Sequence, residues 1–168
     1  MELKEDLKGW QVVLASASPR RKELLEQIGI CPQICPSNAE EKKDETDPQK
    51  LVEKLSSVKA EEMISLIQGR THQVYTGVTV ILCLGADRFA ETTFAEKADV
   101  EVYEMAEDEI RAYAASGEPL DKAGAYGIQG SFAAYIKGIK GDYSNVVGLP
   151  LGRLCHEIKR LLEEREND

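Results

Sequence analysis

Apolar positions along the chain switch between short runs and helical stripes, and each change of period marks an element. Gln11-Val12-Val13-Leu14 is a short, partly β-branched run, which predicts a buried strand of a mixed or parallel sheet. Ser18 then occupies an N-cap position and Pro19 the first helical one. A helix is expected from Arg20 to Ile28, with Leu24, Leu25 and Ile28 on one face and Gly29 ending it. Cys31 to Pro36 predicts a second extended segment, and Ser37 to Asp47 an acidic loop containing Glu40 and Glu41. Asp47-Pro48 repeats the cap-and-proline signal ahead of the stripe Leu51, Val52, Leu55 and Val58.

That second helix changes phase. At about 100° per residue, Met63, Ile64 and Ile67 centre about 135° from the first stripe, and neither Pro nor Gly lies between Leu51 and Ile67 to kink the chain. Residues 60–63 are therefore marked as a seam, although a helix buried on two sides gives the same pattern. Gln68-Gly69-Arg70 closes the helical region. His72 to Leu84 predicts a strand with Gly77 as a bulge or close-approach point, Gly85-Ala86-Asp87 a turn, and Thr92 to Tyr103 the returning strand of a hairpin. Glu107 and Asp108 open a helix carrying Ile110, Tyr113 and Ala114, ended by Gly117 and Pro119. Phe132 to Ile139 reads as a strand, Lys140-Gly141-Asp142 as a turn, and Asn145 to Pro150 as a run of small residues. The last helix puts Leu151, Leu154, Cys155, Ile158, Leu161 and Leu162 on one face and frays from Glu163. A chain of 168 residues makes one domain, 1–168, or at most two small lobes.

Composition narrows the partners. A formal charge of -9 argues against a nucleic-acid surface, so an anionic ligand would need a local positive pocket. No apolar run is long enough to span a bilayer and the N-terminus has no apolar signal core, so the expected compartment is the cytoplasm, with no membrane partner. Cys31, Cys35, Cys83 and Cys155 lack CxxC spacing, with only His72 and His156 to join them. They are read as reduced, mostly packing thiols, with no zinc site expected.

Two stretches carry chemistry. Leu14-Ala15-Ser16-Ala17-Ser18-Pro19-Arg20-Arg21 turns a strand into a helix and sets hydroxyls and guanidiniums at the turn. A helix N-terminus presents unpaired N–H groups and partial positive charge, and Arg20 and Arg21 add charge-assisted donors, so the turn reads as an anion cradle. Arginines in a first turn oppose the helix dipole, which favours this reading over a solvated surface turn. The second stretch is Asp121-Lys122-Ala123-Gly124-Ala125-Tyr126-Gly127-Ile128-Gln129-Gly130. Its glycines and alanines serve close approach or unusual dihedrals, so Lys122 and Gln129 are the polar groups on a thin backbone wall, anchored by Tyr126 and Ile128.

These two motifs closely resemble the signatures of the Maf family of nucleotide pyrophosphatases. Supporting matches are Pro36-Ser37 with Glu41, Lys59-Ala60, the run from Gly69 to Val78, Ser116-Gly117-Glu118-Pro119, and the run from Gly141 to Pro150. The resemblance implies an α/β fold related to inosine triphosphatase: a long twisted mixed sheet with flanking helices and a central cleft. It also implies hydrolysis of dTTP and UTP to the monophosphate and pyrophosphate, assisted by magnesium or manganese, with a homodimer allowed. By resemblance Ser16, Arg20 and Arg21 bind phosphates, Lys59 and Lys122 add positive charge, Glu41 helps hold metal, and Gln129 with Arg20 selects the base.

One departure bears on catalysis. Between Lys59-Ala60 and Gly69-Arg70 the family carries a core strand ending in Ala-Asp-Thr, whose Asp is the general base, and a Gly-Lys-Pro element; neither is in this sequence. Asp87, in Gly85-Ala86-Asp87, is followed by Arg88 and comes after the Val74-to-Val78 strand, so it is a poor substitute. The sequence thus leaves open a pyrophosphatase of impaired turnover or a noncatalytic nucleotide-binding or protein-interaction remnant.

Overall fold

The computed structural model describes residues 3–36, 49–85, 88–122 and 124–166, with the backbone alone at 49–57, 121 and 166. The chain divides into two compact units: Met1–Asn38, Val74–Ala98 and Gly141–Asp168 form one, and Ala39–Gln73 and Asp99–Lys140 the other.

In the first unit, helix α1 (Leu3–Asp6) lies against α6 (Leu151–Glu166), joined by a 3.1 Å ion pair between Lys159 and Asp6. Strand β1 (Val13–Leu14) leads into α2 (Pro19–Gln27) and pairs in parallel with β2 (Gln33–Ile34), Val13 opposite Gln33 and Leu14 opposite Ile34. Gly29 takes a φ of +80°, the left-handed conformation that ends a helix, and the Gly29 and Ile30 amides donate back to Glu26 and Leu25. The predicted burial of β1 is corrected: Val13 is 53% exposed and Ile34 38%. Each strand has only two residues and one neighbour among the described residues, so neither is an interior strand of a wide sheet. The amphipathic reading of α6 holds, with Leu154, Cys155, Ile158 and Leu161 buried; the helix continues past the expected fraying point at Glu163 to Glu166. Each such side chain contributes about 1.5–3 kcal/mol relative to exposure. The cysteines do not pack as expected: Cys31, Cys35 and Cys83 are exposed and Cys155 alone is buried, all four unpaired by disulfide.

In the second unit, α3 (Gln49–Ile67) is one continuous helix, so the change of apolar phase marks no break. Ala60 and Ile64 face the core, whereas Val58 is 48% exposed, contrary to the predicted stripe. The N-cap pair Asp47-Pro48 lies outside the described residues. Helix α3 packs on α4 (Glu107–Ala115), which starts at the predicted acidic turn and buries Ile110, Tyr113 and Ala114. Strand β5 (Ile136–Lys140) begins later than expected, because Ser131–Tyr135 forms a 3₁₀ helix around the fully buried Phe132.

Strands β3 (Thr71–Cys83) and β4 (Phe89–Val102) are hydrogen-bonded neighbours, and a connection this short joins antiparallel strands. The Leu84 amide closes the hairpin on the Arg88 carbonyl. No heavy atom lies within 4 Å of where a Cβ on Gly77 would stand, so the expected close approach there is not found. Strand β4 pairs antiparallel with β5, with an irregularity at Glu101/Val102, beside which Lys137 pairs with Glu101 at 2.6 Å. Parallel and antiparallel strands thus occur together in an α/β protein, and among the described residues they form sheets ordered β1-β2 and β3-β4-β5.

Candidate active site

The turn between β1 and α2 is built by two side chains. The Ser16 hydroxyl accepts from the Ser18 amide at 3.3 Å and from the Arg21 guanidinium at 3.1 Å. A hydroxyl has two acceptor sites and one proton, so with both acceptors occupied the Ser16 proton is left to donate to an incoming acceptor. Ser18 occupies the N-cap position, but its side chain makes no capping bond, which leaves the first turn of α2 without a side-chain cap. Arg21 also donates through Nε to the Gly148 carbonyl at 3.1 Å. The guanidinium is held from two sides by Ser16 and Gly148, an orientation that a single solvated arginine does not keep.

Gly148 is presented by an element the sequence did not reveal, α5 (Tyr143–Val147). Asp142 caps it, accepting from the Ser144 amide at 2.7 Å and its hydroxyl at 2.6 Å, while that hydroxyl accepts from the Leu151 amide. Asn145, fully buried, donates to the Val74 carbonyl at 3.1 Å, and Thr76 donates to the Asn145 carbonyl. The run from Gly141 to Pro150 is thus a knot of hydrogen bonds whose free end receives Arg21.

In the second unit, the loop after the 3₁₀ helix Glu118–Asp121 carries Lys122 and Gln129. Lys122 is half-buried, with its ammonium 3.4 Å from the Glu118 carbonyl, and Gln129 is exposed. Ala125 takes a φ of +57°, which costs a non-glycine residue roughly 1–2 kcal/mol and persists only where packing enforces it. The packing comes from Tyr126, whose ring lies 4.7 Å from that of Phe132, with Tyr113 4.9 Å and Tyr135 5.7 Å from the same ring. His72 Nε2 and the Tyr126 hydroxyl are 2.8 Å apart. Burial lowers the His72 pKa and pushes the Tyr126 phenol up to about 12, so the pair is neutral at neutral pH. The loop is therefore held through Tyr126, one of its two predicted apolar anchors.

Ser16 and Arg21 are in direct contact, with Arg20 next along α2; Lys59 is exposed on α3, and Lys122 and Gln129 share their loop. Glu41 and Asp87 lie outside the described residues. Among the described residues no group of three or more His, Cys, Asp or Glu side chains is arranged to hold a metal; Glu41, the residue that the resemblance assigns to the metal, is not one of them. A recess of about 360 Å³ lined by Gln68, Gly69, Arg70, Glu104 and Met105 contains none of the expected site residues. Sequence reasoning gave no site role to His72, Tyr113 or Glu118, although Glu118 stands three residues before the start of the glycine-rich run at Asp121 and within a stretch that matches the family.

The fold and these two segments define an α/β protein with a tethered Ser16–Arg21 turn and a lysine-bearing glycine loop. The chain belongs to the Maf family, whose pattern, described as Maf-like protein, matches residues 11–65 and 56–161. It is 43% identical over 199 residues to a dTTP/UTP pyrophosphatase of Agathobacter rectalis, covering 90% of this chain and 97% of the relative. Proteins of the same name from Lachnoclostridium phytofermentans and Bacillus cereus are 42% identical over 187 residues and 39% over 186, covering 90% and 89% of this chain and 95% of each relative. An alignment of 199 positions exceeds the whole 168-residue chain, so that relative carries tens of residues with no counterpart here. The two matched stretches of the family pattern overlap at 56–65. No helix among the described residues is long and apolar enough to cross a membrane.

Proposed function

We propose that this chain hydrolyses dTTP and UTP to the nucleoside monophosphate and pyrophosphate, as a single Maf-like domain shortened near 60–63. The observation that carries this reading is the tethered Ser16–Arg21 pair, which leaves a hydroxyl proton to donate beside a fixed cation at a helix start. Water attacks the α-phosphorus and the pyrophosphate leaves. Ser16, Arg20 and Arg21 hold phosphate oxygens, and Lys59 and Lys122 offset the charge that develops on them. Gln129 with Arg20 reads the base. A divalent cation, magnesium or manganese, is the proposed cofactor; Glu41 is the carboxylate proposed to hold it, and no described residue is assigned as the base.

A second reading is favoured by the missing Ala-Asp-Thr strand: a fold that keeps nucleotide binding and has lost turnover. General acid–base groups contribute about 10²–10⁴-fold, so loss of one such group alone leaves activity within measurable range. The two readings separate on product analysis of dTTP and UTP incubated with the folded chain and magnesium or manganese. Monophosphate plus pyrophosphate is expected; nucleotide binding with no product formed selects the second reading.

A further inference from the structure

In the loop that carries Lys122 and Gln129, the Glu118 carboxylate occupies the space that a side chain at Gly130 would need. Glu118 Oε2 accepts from the Ser131 amide at 3.0 Å and from the Ser131 hydroxyl at 2.7 Å, and Oε1 accepts from the Tyr113 hydroxyl at 3.0 Å. That hydroxyl in turn accepts from the Gly127 amide at 3.3 Å. A Cβ on Gly130 would overlap the Glu118 carboxylate, and one on Gly127 would stand 2.9 Å from Lys122 Cε and 3.5 Å from Glu118 Oε1. Gly130 has φ -100° and ψ -156°, extended backbone open to any residue, so the carboxylate and not the backbone demands glycine there. Glu118 cannot swing aside without giving up three hydrogen bonds, so its place and the course of the loop determine each other.

We propose that Glu118, oriented by Tyr113, is a positioning residue for the glycine loop, fixing the backbone at Gly127, Gly130 and Ser131 and so the stance of Lys122 and Gln129 toward the nucleotide. This rests on the reading of Lys122 and Gln129 as nucleotide-binding residues. Three donors converge on the Glu118 carboxylate, as expected of a group that holds the loop in place. Burial pushes its carboxyl up, but the bonds from Ser131 and Tyr113 outweigh that and keep the pKa below the ordinary carboxylate value, which agrees with a structural anion.

Amide hydrogen exchange and dTTP titration on the full chain test this with Glu118→Ala, Glu118→Gln, Gly130→Ala and the double variant Glu118→Ala/Gly130→Ala. Loss of the carboxylate should speed exchange at Gly127 and Ser131 about tenfold or more, leave α6 unchanged, and weaken dTTP about tenfold. Glu118→Gln should keep most of the affinity, because its oxygen can accept from Ser131 while its amide donates to Tyr113. Gly130→Ala alone should match Glu118→Ala, yet add nothing on top of it, since the space is then empty. Unchanged exchange at Gly127 and Ser131 in Glu118→Ala overturns the proposal. So does an equal effect of Gly130→Ala with and without Glu118. If the folded wild type binds no dTTP, the nucleotide reading fails, while the exchange pattern still decides whether Glu118 holds the loop.

Discussion

The Ser16–Arg21 turn and the glycine loop reach order by opposite means. Around Ser16 and Arg21 the neighbouring strands are thin and open, with Val13 53% and Ile34 38% exposed, and the tether of Arg21 to Ser16 and Gly148 is polar. Around Lys122 and Gln129 the support is a packed aromatic cluster on Phe132, which is fully buried, with Glu118 as its polar clamp. Side-chain hydrogen bonds thus do at the first segment what packed aromatic rings do at the second.

If that contrast is right, substitutions should fall in a definite order. Phe132→Ala should cost about 3–5 kcal/mol of stability in urea unfolding, because it empties a filled core site. A loss below about 1 kcal/mol would dissolve the distinction between the two regions. Arg21→Ala should come next, at about 1–3 kcal/mol, since it strands the Gly148 carbonyl, and Arg21→Lys should not restore it, because an ammonium has no fork to reach both partners.

A pH series sharpens the comparison on the side of the loop. Burial holds the His72 pKa below 6.5, so as the pH falls through that value the unfolded chain takes up the proton first and folded stability drops. The contribution is complete above pH 6.5 and is lost on acidification. The urea midpoint should therefore fall between about pH 7.5 and 5.5, and less steeply in His72→Gln. Parallel slopes in the two proteins would remove His72 from the account. The smallest effect belongs to Val13→Thr, expected within about 0.5 kcal/mol because the side chain is already half in water. A larger loss would restore the buried-strand reading.

Much of the framework was legible in the sequence because its signals are local. Pro19 and Gly29 bound α2, Glu107 and Gly117 bound α4, and the apolar face of α6 stands out at helical spacing. What escaped depends on contacts distant in sequence. Helix α5 is five residues long and owes its form to the Asp142 cap and to Asn145 reaching Val74. Phe132 to Tyr135 carries strand-forming side chains, yet the segment winds into a 3₁₀ helix whose first amide is held by Glu118. Val13 and Val58 are apolar and exposed, and no periodicity distinguishes them from core residues. Of the candidate site, the residue types and the two segments were readable. The tether of Arg21 to Gly148 and the clamp at Glu118 were not, because each is a pairing of side chain and partner that no local pattern specifies.

The account stands or falls on whether the Ser16–Arg21 turn still receives a nucleotide. Calorimetric titration of dTTP into the folded wild type and into Arg20→Ala measures this directly. Loss of a charged hydrogen-bond donor costs about 1.5–3 kcal/mol, so binding by the wild type that weakens at least about tenfold in Arg20→Ala is the predicted result. Equal affinity in the two proteins, or no heat of binding with the folded wild type, would contradict it.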